Sequence, residues 1–161
     1  MKVCEFTENE FIGHISDLYI LTENWEKEAN LQDFGFILSH NEFVSGIINF
    51  YFNKDTGIIF LINGEDENSI IGFMGLQKVK SPTNYEFIAN EHYLYILPQY
   101  RGKYLLKMIN KAEEWAKKND CKYFMINASL IASDKHDKIC KLCEHLKMKK
   151  LETVYIKKLE V

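Results

Sequence analysis

The chain has 161 residues, enough to bury one hydrophobic core and too few for two ordinary domains, so a single domain over residues 1–161 is expected. Its 47% hydrophobic and 27% charged residues argue against disorder, and its apolar runs are far shorter than the roughly 18 residues of a membrane span. The net charge of −3 is unevenly spread: residues 1–60 hold ten acidic side chains against three lysines, whereas residues 101–161 hold fifteen basic against eight acidic.

Hydrophobic periodicity predicts a chain that mixes helices and strands. The expected elements are a strand at 3–6, helices at 8–22 and 34–52, a hairpin of GIIFLI and IIGFMGLQKV joined by NGEDENS, a strand at 85–96, a helix at 103–118, a strand at CKYFMIN, a helix at 134–146 and a strand at 154–159. The hairpin is predicted from Asn-Gly between β-branched runs. This order indicates an α+β or mixed α/β fold.

The stretch LYILPQYRGKYLLKM, residues 94–108, contains the only arginine of the chain. A strand here runs into Pro98 and Gly102 and a helix begins at once, so several backbone N–H groups point outward at the helix start. Those groups and the helix dipole attract phosphate, and Arg101 and Lys103 would add positive charge. A glycine before a helix is also a common cap, so the spacing alone leaves anion binding and simple capping both open.

The segment QYRGKYLLKMINKAEEWAKKNDCKYFMI resembles the acetyl-CoA-binding core of the GNAT acetyltransferase superfamily, whose signature is Gln/Arg-x-x-Gly-x-Gly/Ala between a strand and a helix. Gln99, Gly102 and the amphipathic helix match, and the order of elements fits nearly the whole chain. The resemblance implies an α/β (α+β) GNAT-like fold, with a mixed, mostly antiparallel central sheet of roughly six to seven strands flanked by about four helices. The compact arrangement also resembles family members from phages and prophages.

The resemblance implies an activity as well: an acetyl group moves from acetyl-CoA, the cosubstrate, to a primary amine by direct attack in a ternary complex, without a metal. Backbone N–H groups from Arg101 to Leu106 would hold the CoA pyrophosphate, and backbone around Leu94 to Ile96 would pair with the pantetheine arm. The cofactor-binding residues implied in this way are Leu94, Tyr95, Ile96, Gln99, Arg101, Gly102, Lys103, Tyr104, Leu105 and Leu106.

Two segments depart from the family pattern, at Tyr104 and in DKICKLCEHLKM, where Asp137, Cys140 and the pair Lys147 and Met148 replace the family's Asn, Ala and Gly-Phe. Tyr104 stands where the signature has a small residue, so its ring must turn away from the phosphates. In DKICKLCEHLKM, Cys143 stands where a family tyrosine often protonates the departing CoA thiolate. Cys143 is therefore the implied catalytic acid, and an ordinary thiol pKa of about 8.5 suits that transfer. Cys143 also lies on an apolar helix face where cysteine packs well, and Tyr104 and Tyr155 are reserve donors.

The proton of the attacking amine needs an acceptor, because an amine is mostly protonated at neutral pH. Glu91 and His92 on the long strand are the candidates, and strand alternation lets only one of them face the cleft. Counting by two from Ile96 puts Glu91 on the face of Tyr93 and Tyr95. We favour Glu91 as the catalytic base, because aromatic neighbours would raise the pKa of its carboxyl group. A solvated carboxylate and an ordinary surface histidine are the alternative.

Acidic and aromatic residues in the first two helices and the adjoining segments indicate a cationic amine as the acceptor, on a small molecule or a protein. They are Glu23, Trp25, Glu26, Glu28, Phe36 and Tyr51. A solvated acidic helix face is the alternative reading of the same residues.

The sequence also bears on functions other than acetyl transfer. A GNAT-shaped module that binds CoA or a protein without turnover is the main alternative. His136, Cys140, Cys143 and His145 belong to one helix with no distant ligand pair, so no metal site is expected. Scattered lysines without an aromatic stacking motif predict no nucleic-acid partner.

The setting of the protein follows from its N-terminus and its cysteines. MKVCEFTENE lacks the apolar segment of a secretion signal, so we expect a cytoplasmic protein with reduced thiols and no membrane partner. The sequence leaves open whether the chain forms a homodimer.

Overall fold

The computed structural model describes residues 1–63, 69–132 and 135–157. They form a mixed α/β fold around one sheet of five strands in the order β1-β2-β3-β4-β5, with five α-helices. The elements are β1 Lys2–Cys4, α1 Glu8–Gly13, α2 Ile15–Glu26, α3 His40–Tyr51, β2 Thr56–Ile62, β3 Ile70–Lys80, β4 Phe87–Ile96, α4 Lys103–Lys118, β5 Cys121–Met125 and α5 His136–His145. Short 3₁₀ helices cover Gln32–Phe34 and Pro98–Tyr100. No helix among these residues has the length and apolar character to cross a bilayer.

The first four strands pair antiparallel with their neighbours, and β5 joins β4 in parallel. The hairpin of β2 and β3 is confirmed by the pairing of Ile62 with Ile70, while residues 64–68 of its connection lie outside the described ranges. The helix at 103–118 and the strand that opens CKYFMIN are confirmed as α4 and β5.

The expected count of strands and helices is wrong for the described residues. The helix at 8–22 is divided, because His14 leaves helical geometry (φ −113°, ψ 12°) and caps both α1 and α2. The helix at 34–52 begins only at His40, after Gly35 adopts a left-handed conformation and Ser39 accepts a hydrogen bond from the Glu42 N–H. Residues 154–157 form no strand and stay exposed, residues 158–159 lie outside the described part, and so does residue 134 of the expected helix at 134–146.

The sheet is buried on both faces. On one face α4 packs against a cluster that includes Ile59, Leu61, Met74 and Leu76. On the other face α1, α2 and α3 pack against a cluster that includes Phe60 and Phe73. This explains why β2 reads as a continuous apolar run rather than an alternating one.

A bulge in β4 sets the direction of its side chains. Gly75 of β3 pairs with Tyr93 and Leu76 pairs with Glu91, so His92 has no partner in β3 and is the extra residue. Residues on either side of a bulge no longer follow the simple alternation of a strand. Glu91 therefore shares the face of Leu76, towards α4, and Tyr93 lies on the opposite face.

Gly57 of β2 leaves room for the indole of Trp115, which anchors α4 on the sheet. A Cβ built on Gly57 would lie 2.2 Å from Trp115 Nε1, and Trp115 is only 5% exposed. The position of α4, and hence of its N-terminus, depends on this close approach.

We expect Gly57→Ala to lower the free energy of unfolding by about 1–3 kcal/mol, because the indole must move within a packed core. Urea denaturation measures the change. Gly13→Ala is the matched control, since a Cβ there meets nothing within 4 Å, and it should leave stability unchanged or raise it. Equal effects of the two substitutions would contradict the packing role of Gly57.

Candidate active site

A cleft opens where β5 leaves β4. The parallel pairing runs from Phe87 with Cys121 to Asn90 with Met125 and then stops. Just beyond, Asn127 links the segment after β5 to β4 through three hydrogen bonds. Its N–H donates to Glu91 Oε2 at 2.9 Å, and its Nδ2 donates to Asn90 Oδ1 at 3.0 Å and to the Glu91 carbonyl.

The cleft has a volume of about 630 Å³ and is lined from both faces of the sheet. The first group of lining residues, which we call the aromatic side, belongs to α2, α3, β3, β4 and the segment after α2: Leu21, Thr22, Trp25, Glu28, Phe43, Phe73, Tyr93 and Tyr95. The second group, the aliphatic side, belongs to β4, α4, α5 and the turn before α4: Leu94, Ile96, Gly102, Leu105, Ile139 and Leu142.

The backbone of β4 offers hydrogen-bonding groups to this cleft. Leu97 N–H donates to the Ile71 carbonyl at 3.0 Å, which fixes the alternation of the antiparallel pair. Tyr95 then bonds to β3, whereas the N–H and C=O groups of Leu94 and Ile96 point away from β3 towards the gap left by β5. A ligand lying along this edge would add to the sheet as a strand does.

The start of α4 faces the same cleft. Gly102 takes φ 83° and ψ −114°, a left-handed conformation that favours glycine. Leu105 and Leu106 N–H groups donate to the Gly102 carbonyl, at 3.0 and 3.4 Å. In the described part of the chain, the N–H groups of Gly102, Lys103 and Tyr104 have no such partner, so these three are available to an anion.

The lone arginine is held by the protein itself. Arg101 Nε donates to the Ile96 carbonyl at 2.8 Å, and Arg101 Nη2 donates to Glu28 Oε1 at 2.7 Å. The Tyr95 hydroxyl donates to the same carboxylate oxygen at 2.7 Å, and the guanidinium carbon lies 5.5 Å from the Tyr95 ring centroid. Burial opposes ionisation of Glu28, but the hydrogen bonds from Arg101 and Tyr95 outweigh it and hold the pKa of Glu28 below its ordinary value.

The other residues expected near phosphate are placed differently. Tyr104 does not line the cleft: its ring packs against the α4 core and lies 5.0 Å from Lys103 Nζ and 5.5 Å from Lys107 Nζ. Gln99 is exposed within the 3₁₀ helix, and Leu106 is exposed on α4. The bulky residue at position 104 therefore leaves the start of α4 open.

Glu91 is 4% exposed and lines the cleft. Burial raises the pKa of Glu91 to about 7, although the hydrogen bond from the Asn127 N–H favours the ionised form. The expectation that Glu91 shares a face with Tyr93 and Tyr95 is wrong, because the bulge at His92 reverses the count. Desolvation of the buried carboxyl group causes the shift.

His92 and Cys143 lie at the margins of the site. His92 lines the cleft but is exposed at the bulge, 5.5 Å from the Phe50 ring centroid. Cys143 follows Leu142 on α5 but is not itself a lining residue, and burial raises the pKa of its thiol. Tyr155 is 89% exposed. In the ranges 1–63, 69–132 and 135–157, no three His, Cys, Asp or Glu residues are grouped as a metal would need.

Sequence reasoning found some residues of the aromatic side and missed others. Trp25 and Glu28 line the cleft as the acidic and aromatic pattern suggested, whereas Glu26 instead contacts His40 at 2.8 Å. Glu23, Phe36 and Tyr51 do not line it either. Asn127 was missed; its position two residues after the end of the strand CKYFM is the signal that could have found it.

The fold therefore combines a mixed sheet with a cleft between two separating parallel strands, lined by an open strand edge and by the start of a helix. The chain belongs to the acetyltransferase (GNAT) family, whose model matches residues 6–135. No curated protein sequence matches the chain.

Solved structures with the same fold cover nearly the whole chain. A GNAT family acetyltransferase from Staphylococcus aureus subsp. aureus has a TM-score of 0.67 and 18% identity, covering 98% of both chains. The aminoglycoside N-acetyltransferase AAC(6')-Iy in complex with CoA has a TM-score of 0.72 and 10% identity, covering 99% of this chain and 95% of that one. A ribosomal-protein-alanine N-acetyltransferase from Brucella melitensis biovar Abortus 2308 has a TM-score of 0.68 and 11% identity, covering 99% and 100%. At these identities the likeness shows the fold.

We expect Arg101 and Glu28 to be energetically coupled. In a double-mutant cycle of Arg101→Met and Glu28→Gln, followed by urea denaturation, the coupling should be about 1–3 kcal/mol, because each single change leaves a half-buried partner unsatisfied. The exposed pair Lys111 and Glu114, at 2.9 Å, is the matched control and should couple by less than about 0.5 kcal/mol. Equal couplings would show that the first pair is an ordinary surface contact.

Glu91 should make the protein less stable as the pH rises. The folded protein holds this proton up to about pH 7, whereas the unfolded chain releases it near the ordinary value of 4.5. The stabilisation is therefore complete below pH 4.5 and is lost as the pH passes through 7, a change on the order of 3 kcal/mol. The free energy of unfolding is measured for wild type and for Glu91→Gln at pH 5 and at pH 8. The difference between the two proteins at each pH isolates Glu91, because the titrations of all other groups cancel. A difference that does not change with pH would contradict the shift.

Proposed function

We propose that this GNAT protein is an acetyl-CoA-dependent N-acetyltransferase that moves an acetyl group to a primary amine by direct attack in a ternary complex. The observation that carries the proposal is the alignment of three features along one cleft. The open edge of β4 leads to the start of α4 in one direction and to the buried Glu91 carboxyl group in the other.

The chain fits acetyl-CoA by the chemistry of its donors and its apolar surface. The edge at Leu94 and Ile96 suits the amide groups of a pantetheine arm, and the aliphatic side suits its carbon chain. The N–H groups of Gly102, Lys103 and Tyr104 suit a pyrophosphate, aided by the helix dipole. The Arg101 side chain holds the Ile96 carbonyl and Glu28, so in this proposal it shapes the site and the phosphates are held by main chain. The cosubstrate supplies an activated thioester.

Glu91 is proposed to accept the proton of the attacking amine. The new C–N bond forms while the C–S bond breaks, the amine proton passes to the Glu91 carboxylate directly or through water, and the sulfur leaves with the electron pair of the broken bond. A pKa of about 7 leaves Glu91 partly ionised at neutral pH and able to hold a proton. Cys143 lies next to the lining residue Leu142 and is the proposed donor to the departing sulfur; burial keeps its thiol protonated, and donation requires the side chain to reach into the cleft.

The test combines binding and turnover. Acetyl-CoA at 100 times its Kd should stabilise both wild type and Glu91→Gln by about 2.7 kcal/mol in a thermal shift assay. With an amine acceptor, Glu91→Gln should release CoA roughly 10²–10⁴-fold more slowly, and kcat/KM of wild type relative to that variant should rise with pH through about 7. Cys143→Ala should lower kcat and keep that pH dependence.

His92→Gln is the matched control, because it changes the neighbouring residue and leaves Glu91 in place. Loss of turnover in His92→Gln with full activity in Glu91→Gln would move the base to His92. Stabilisation by acetyl-CoA without CoA release from any amine would instead identify a binding module, and no stabilisation at all would refute the proposal.

A further inference from the structure

The aromatic side of the cleft is a wall of rings packed on one another. Trp25 and Phe43 stack with centroids 5.0 Å apart and planes at 13°, and Tyr93 meets Phe43 edge-on at 5.7 Å and 90°. Leu21 and Phe73 complete the apolar surface. Because the stacked rings of Trp25 and Phe43 each cover one face of the other, they do not form an aromatic cage around a cation.

The hydroxyl groups of Thr22 and Tyr95 on this side are already used within the protein. Thr22 Oγ1 donates to the Leu18 carbonyl at 2.7 Å, and the Tyr95 hydroxyl donates to Glu28. Burial raises the pKa of Tyr93, so its hydroxyl stays neutral and cannot act as an anion. What this side offers a ligand is chiefly apolar area.

The carboxylates of the cleft are also committed. Among the described lining residues only Glu28 and Glu91 are acidic. Glu28 accepts from Arg101 and Tyr95 and has Lys135 Nζ at 3.9 Å, so its charge is balanced. Glu91 lies at the branch of the strands, where the reacting amine must come. A second ammonium group on the acceptor would therefore be desolvated against rings with no counter-charge.

We propose that the acceptor is a small primary monoamine with an aromatic or branched apolar body, which packs against Trp25, Phe43 and Tyr93 while its amino group reaches Glu91. This inference rests on the proposed acetyltransferase function and names its substrate class. It narrows the expectation of a cationic amine acceptor, on a small molecule or a protein, that the acidic and aromatic residues of the first helices suggested.

The test compares acceptors that differ in the far end of the molecule. CoA release is measured with 2-phenylethylamine, 3-methylbutylamine, 1,4-diaminobutane, spermidine and a lysine-containing peptide. We expect kcat/KM for 2-phenylethylamine to exceed that for 1,4-diaminobutane by at least about tenfold, since burial of a few carbon atoms in an apolar pocket gives discrimination of that size. A preference for the diamine, spermidine or the peptide would overturn the inference.

Variants of Phe43 test whether the aromatic side of the cleft causes the preference for apolar monoamines. Phe43→Ala should reduce kcat/KM for 2-phenylethylamine about tenfold and change that for 1,4-diaminobutane little. Phe43→Glu should favour the diamine, because it supplies the missing counter-charge. Phe52→Ala is the matched control: Phe52 is 52% exposed at the end of α3 and does not line the cleft, so the preference should persist. Equal effects of Phe43→Ala on both amines would contradict the assignment.

Failure of this inference is distinguishable from failure of the proposed function. If acetyl-CoA stabilises the protein and a polyamine or peptide is the better acceptor, the function stands and the substrate class is wrong. If acetyl-CoA does not stabilise the protein, the function itself fails and the substrate class fails with it.

Discussion

The separation of β5 from β4 is the constraint on which the site depends. Two parallel strands that paired along their full length would leave neither a cleft nor an open edge, and the backbone groups of Leu94 and Ile96 would be spent within the sheet. Asn127 holds the branch point by bonding to the main chain and the side chain of Glu91. The residue that links the two segments at the branch point thereby also fixes the carboxyl group of Glu91.

Arg101 shows how a charged residue can organise a site through contacts within the protein. Its planar fork reaches the Ile96 carbonyl with one nitrogen and Glu28 with another, and lysine cannot make both contacts in fixed directions. This accounts for a single arginine in a chain that otherwise uses lysine. Ion pairs of this kind add little net stability relative to apolar packing, so their effect is mainly to fix a geometry.

Periodicity predicted the elements whose environment is uniform along their length. The helix 103–118 was found to the residue, because one continuous face packs on the sheet. The number of strands and helices was not predicted correctly, because the helix ends at His14 and before His40 depend on local caps. The face of Glu91 could not be predicted, because a one-residue bulge at His92 leaves no mark in the hydrophobic pattern. The partner of Arg101, 73 positions away in the chain, is visible only after folding.

The contact between Glu28 and Arg101 joins the segment after α2, which shapes the aromatic side, to the turn that begins α4. Under the proposed function, substrate preference and nucleotide binding would therefore not be independent of each other. If the first helices were replaced by those of a relative with another specificity, the replacement would need a carboxylate at position 28. Otherwise Arg101 would lose its carboxylate partner in the turn before α4, and a substitution intended to change one ligand would also affect the binding of the other.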